Sequence, residues 1–77
     1  MEATAAQQTR VLKMLESILD LPPSTLRGPE PITAFNWDSV AVMEFIARAD
    51  SEFGVVLVPA GISNCERVRD LVALVAA

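Results

Sequence analysis

The sequence predicts an all-α fold, a small four-helix bundle of three main helices and a short third one, with a long loop between helices 1 and 2. Three observations carry this. Apolar residues recur at helical spacing in three separate stretches, and no two segments pair convincingly as strands. At 77 residues with 52% of them apolar, there is material for one small core and one domain, residues 1–77, and disorder is excluded.

Residues 1–6 are small and polar and are read as frayed. A helix begins at about Gln7: Val11, Leu12, Leu15, Ile18 and Leu19 form one apolar stripe. Arg10, Lys13, Glu16 and Ser17 lie outside it, and Met14 lies off its centre. Pro22 and Pro23 stop the helix.

Leu21 to Phe35 is a connection of about 15 residues, long for a small bundle. Ser24, Thr25 and Leu26 suit one helical turn, while Ile32 and Phe35 are apolar anchors that favour an ordered loop. Asn36-Trp37-Asp38-Ser39-Val40 then runs into a second helix, from about Ser39 to Glu52. Val42, Ile46, Ala49 and Phe53 mark its inner stripe, widened by Met43 and Phe45, with Val40 and Ala47 near the rim. Gly54 is the C-terminal stop.

Val55-Val56-Leu57-Val58 reads as an extended connector, with Val55 and Leu57 facing inward. Pro59 to Ile62 suits a short helical turn that Pro opens. A last helix spans about Cys65 to Ala76, capped by Ser63 or Asn64, with Val68, Leu71, Val72 and Val75 inward and Arg67, Arg69 and Asp70 outward.

Chemistry is bounded as tightly as the fold. With no histidine and one cysteine, Cys65, neither a catalytic triad, a Cys/His zinc site nor an internal disulfide is available. The carboxylates lie on solvated faces, and Gly28, Gly54 and Gly61 stand apart, so no phosphate loop exists. No catalytic residue and no metal ligand is assigned, and the chain is read as a non-enzyme. No signal peptide or membrane span is legible, which makes a cytoplasmic location the expectation.

The formal charge is −4. Glu30, Asp38, Glu44, Asp50 and Glu52 face Arg48 alone, while the rest of the chain balances. Such a field repels nucleic acid and attracts basic partner surfaces; the alternative is a merely solvated helix face. Asp38 and Ser39 are both residues that a helix start favours. Ser39 is therefore either a capping serine or an attachment point, where a phosphate would meet the free N–H groups of the helix.

Asp38-Ser39-Val40 resembles the Asp-Ser-Leu attachment signature of acyl carrier proteins. Glu52-Phe53-Gly54-Val55 resembles that family's Glu-Phe-Gly-Val run, and Val68-Arg69-Asp70-Leu71-Val72 its final Val-x-Asp-Leu-Val, with matching spacing over about residues 8–76. The resemblance implies a four-helix bundle whose Ser39, beside Asp38, receives 4′-phosphopantetheine from coenzyme A through a phosphopantetheinyl transferase. The arm's thiol would hold an acyl thioester for acyl-loading, acyl-transfer and synthase enzymes of fatty acid or polyketide biosynthesis. The carrier itself is expected to be monomeric and not inserted in a membrane.

Glu44 and Asp50 are then the acidic, and Val40 and Ala47 the apolar, parts of the partner face. Met43, Ile46, Ile62 and Leu71 are candidates to line an acyl cavity, though ordinary core packing accounts for all four. Val40 stands where the family usually has Leu, Ala41 where many fatty-acid carriers have an acid, and Ala60-Gly61 replaces an acidic pair. Trp37 reads as a loop anchor, the alternative being a ring against the arm or an enzyme surface, and Cys65 as a small hydrophobe. These departures suggest a specialised carrier, serving secondary metabolism or surface polysaccharide modification. The alternatives are a peptidyl or aminoacyl carrier, and a helical interaction module that bears no arm.

Overall fold

The computed structural model describes residues 4–76, and the elements there are helical. Helix α1 spans Ala5–Ile18, α2 Ser39–Phe53, α3 Pro59–Ser63 and α4 Val68–Ala76. Helix α1 packs on both α2 and α4, and the core lies between them. Phe45, Leu15, Leu71, Val11 and Val68 are its fully enclosed side chains.

Helix α1 starts earlier than expected. Thr4 accepts the Gln7 N–H at 3.1 Å and the Gln7 side chain accepts the Thr4 N–H at 3.2 Å, a reciprocal cap that orders Ala5 and Ala6. Of the stretch read as frayed, Met1 to Ala3 lie outside the described residues. At the other end Asp20 takes a left-handed φ of 56°, and the Leu21 N–H returns to the Glu16 carbonyl at 2.8 Å.

The buried arc of α1 is also shifted. Met14 and Glu16 are buried, while Leu12, Ile18 and Leu19 are only half-buried. The cause is the long loop, which folds back over this flank and seats Leu26 in the core. A buried carboxylate needs a donor. Glu16 has one in the Leu26 N–H, at 2.9 Å.

No helical turn forms at Ser24 to Leu26, because Ser24 has a φ of 65°. A 3₁₀ turn forms instead at Ile32–Ala34, with Ile32 buried and Phe35 half-buried, so the two anchors act as expected.

In α2 the inward line is Ala41, Phe45 and Ala49, with Val42, Ile46 and Phe53 beside it. Met43 is 70% exposed rather than part of the core face. Ala41, read as a site where the partner face had lost an acid, is buried, at the floor of a shallow depression beside Val40 and Glu44. Gly54 closes the helix with a φ of 67°, a conformation that suits a residue without a Cβ. Two side chains tie α2 to α1: the Arg10 guanidinium lies 4.5 Å from the centre of the Phe53 ring, and Arg48 donates to Ser17 Oγ at 3.1 Å.

The connector is extended, with Val55 and Leu57 half-buried and Val56 and Val58 exposed. Helix α4 begins three residues later than its apolar pattern suggests. The backbone at Glu66 and Arg67 is held by the long loop, through an antiparallel bridge between Pro31 and Arg67. Neither Ser63 nor Asn64 caps α4; the Ser63 hydroxyl donates back to the Ala60 carbonyl. Asp70 reaches back from the first turn and accepts the N–H groups of Glu66 and Arg67.

Candidate functional site at the start of helix α2

The polar stretch before α2 is shaped by its one aromatic residue. Trp37 packs edge-on against Phe45, with centroids 5.8 Å apart, and its main-chain N–H donates to the Phe35 carbonyl at 2.9 Å. This pins the loop against the inner face of α2 and leaves Asp38 extended. Asp38 Oδ1 then accepts the Ala41 N–H at 2.9 Å, and its carbonyl accepts the Val42 N–H at 3.0 Å.

Asp38 is thus the cap, and Ser39 is the first helical residue. The capping role that the sequence left open for Ser39 belongs to its neighbour. Ser39 is exposed, and the Ser39 and Val40 N–H groups have no hydrogen-bond partner among the described residues. An exposed hydroxyl beside two free donors, at the positive end of a helix dipole, is a setting that stabilises a phosphate ester.

Ser39 also opens onto a groove of about 880 Å³. Its walls are Ile32, Phe35 and Trp37 from the loop, Val42 and Met43 from α2, Pro59 and Ile62 from α3, and Cys65 to Arg67 before α4. Of the four residues proposed to line a cavity, Met43 and Ile62 do so. Ile46 does not, and Leu71 is enclosed in the core, because α4 turns its apolar stripe toward α1. Trp37 both anchors the loop and lines the groove; Val42 and Cys65 were missed as lining residues, and nothing in their local spacing marks them.

Val40 is 73% exposed, and Glu44, Ala47 and Asp50 are exposed with it. At steps of four, three and three residues they share one face of α2. Met43 joins that face; it lies four residues after Ser39, which was the signal available in the sequence. Val40 and Glu44 also border a shallow depression with Ile18, Leu19 and Asp20 at the end of α1.

The Cys65 thiol donates to the Gly61 carbonyl at 3.6 Å. Partial burial, and after it the charge of Asp70, push its pKa up, so it stays a thiol near neutral pH and is a poor nucleophile.

Residues 9–75, nearly the whole chain, match the family model described as the phosphopantetheine attachment site. The chain belongs to that family. Members of the phosphopantetheine attachment family carry 4′-phosphopantetheine covalently on a serine, and they are generally non-catalytic carriers. They interact with phosphopantetheinyl transferases and synthase enzymes. No curated protein and no solved structure matches the chain. The residues present fit the group: a free hydroxyl, two unpaired N–H donors and an apolar groove adjoin one another. Among the described residues no helix is long and apolar enough to cross a membrane.

Proposed function

We propose that Ser39 is the attachment serine and that residues 1–77 act as one carrier domain for acyl groups. The observation that carries this reading is the exposed Ser39 hydroxyl at the first position of α2, beside the free N–H groups of Ser39 and Val40. The prosthetic group supplies the thiol on which cargo is held as a thioester. Everything else falls to the chain's own residues.

Asp38 fixes the helix start, so the two N–H donors point toward the ester position. Val40, Met43 and Ala47 offer an apolar contact to partner enzymes, and Glu44 and Asp50 supply charge that steers weak, fast encounters with basic surfaces. The same charge disfavours nucleic acid. The groove beside Ser39 is lined mainly by apolar side chains, which supports acyl over aminoacyl cargo. The chain performs no bond chemistry, and a monomer working in the cytoplasm accords with its size and charge.

Purified chain incubated with coenzyme A, magnesium and a permissive transferase should gain the mass of one arm, and Ser39→Ala should gain none. Unchanged mass for the native chain overturns this reading. Loading of an octanoyl arm in preference to an amino acid, with acyl-activating and amino-acid-adenylating enzymes run side by side, separates the two cargo classes.

A further inference from the structure

The groove beside Ser39 has a wall that no helix provides. On one side it is Pro31, Ile32 and Thr33 of the long loop, and on the other Glu66 and Arg67. The two segments are joined by three main-chain hydrogen bonds: Arg69 N–H to Gly28 at 2.8 Å, Val68 N–H to Glu30 at 2.9 Å, and Ile32 N–H to Glu66 at 2.9 Å. Arg67 adds a bond to the Pro29 carbonyl at 2.6 Å. A single bridge of this kind is too short to hold two strands together unaided.

A carboxylate braces each side of it. Glu30 accepts the N–H of Gly28 with Oε1 and that of Arg27 with Oε2, both at 2.8 Å. Asp70 accepts the N–H groups of Glu66, at 3.1 Å, and Arg67, at 2.9 Å, with the single atom Oδ2. Glu66 and Arg67 belong to the wall itself, whereas Arg27 and Gly28 lie in the loop just before it, where the Gly28 carbonyl accepts the Arg69 N–H.

Resting on the reading of Ser39 given above, we propose that Glu30 and Asp70 are positioning residues for cargo: each holds its own segment in the shape that the main-chain bonds between loop and α4 require, and together they keep this wall of the groove in place beside an acyl chain. Arg27 faces Glu30, and Lys13 and Glu16 of α1 border Arg27 across a shallow depression. Arg67, Arg69 and the Cys65 thiol face Asp70. Desolvation, the largest single influence on Glu30, raises its pKa, but the N–H groups of Gly28, Glu30 and Arg27 and the Arg27 charge outweigh it, so the value is lowered. The Arg67 and Glu66 N–H groups lower that of Asp70. Both therefore remain charged, and the wall remains braced, until the medium is distinctly acid.

The test uses the full chain loaded with an octanoyl-bearing arm by a transferase, loading being followed by intact mass. Trp37, the chain's one tryptophan, lines the groove and reports on its contents. Loading should shift Trp37 emission and slow thioester cleavage by hydroxylamine several-fold relative to the same thioester on free pantetheine. In Glu30→Ala/Asp70→Ala both effects should disappear while helix content persists.

The conservative variants act differently, because Asp70 uses one oxygen and Glu30 two. Asp70→Asn should keep the protection, and Glu30→Gln should lose part of it; these serve if the double variant fails to fold. On the native chain, the Trp37 shift should shrink, as it does in Glu30→Gln, when pH falls through the carboxylate range. A folded double variant with native protection, equal behaviour of the two conservative variants, or a native chain whose Trp37 ignores its cargo would overturn this positioning role. A chain that takes no arm at all would instead overturn the assignment of Ser39.

Discussion

Trp37 meets Phe45 edge to face, with ring centroids 5.8 Å apart and planes inclined by 68°. This contact joins the last turn of the long loop to a fully buried side chain of α2, and it sets where Asp38 and Ser39 emerge. Removing it should loosen the entry to α2. Trp37→Ala should cost about 2–4 kcal/mol, near the lower part of the range for aromatic truncation because the ring is only half-buried. Trp37→Phe should recover most of that in urea unfolding.

Asp38 and Ser39 are adjacent but should separate cleanly in stability measurements. Asp38→Ala removes the cap to Ala41 and should cost about 1 kcal/mol. Ser39→Ala removes no internal hydrogen bond among the described residues and should change stability by less than about 0.5 kcal/mol, while abolishing loading. Thermal unfolding of the two variants, paired with intact mass after treatment with coenzyme A, checks both. A cost for Ser39→Ala as large as that for Asp38→Ala would restore the capping role to the serine.

Glu16 is buried and serves the Leu26 N–H at 2.9 Å. Glu16→Ala leaves that donor without an acceptor and should cost about 1–3 kcal/mol. Glu16→Gln retains an acceptor oxygen and should cost less. Chemical denaturation of both, together with exchange of the Leu26 amide, distinguishes a lost acceptor from a general loss of packing.

Acid should weaken the fold first where the loop meets α4. Glu30 and Asp70 both have folded pKa values below their ordinary ones, so each stabilises the folded state fully above the unfolded value. That contribution is lost as pH falls through the lower, folded value, in the region below about pH 4. Protection of the Ile32, Val68 and Arg69 amides, measured against the intrinsic exchange rate at each pH, should therefore fall on acidification before that of the α1 core does. A uniform fall across the chain would contradict this order.

Glu44 and Asp50 lie on the exposed face of α2 with Val40. Reversing both charges should slow association with a basic partner such as the transferase by about tenfold at low salt, with little change in the dissociation rate. Stopped-flow measurements over a range of ionic strength should show the native and variant rates converging as salt rises.

Much of the helical framework was legible before any coordinates. Asp38 with Ser39, Gly54 and Pro59 are local signals that mark boundaries to within a residue, while Pro22 and Pro23 follow the end of α1 by four and five residues. The inward residues Val11, Leu15, Val68, Leu71 and Val75 follow from period alone, because they sit in the middle of their stripes. The position of Ser39 at a helix start was legible for the same reason, since capping chemistry acts over three or four residues.

What local pattern could not decide was the width and tilt of each buried arc. Met14 is enclosed and Met43 exposed, although both are the same residue type at the edge of a stripe. The loop covers one flank of α1 and leaves the rim of α2 open, and that covering is a long-range event. The late start of α4 and the groove beside Ser39 arise in the same way. Each depends on main-chain groups about 35 to 40 residues apart in the chain, Gly28 with Arg69 and Glu30 with Val68 among them, being brought together. Periodicity and capping are properties of neighbours, and so the residues alone determined the helices and the serine at the mouth of α2. Which faces are covered, and by what, depends on contacts between distant parts of the chain, and only the folded structure decided that.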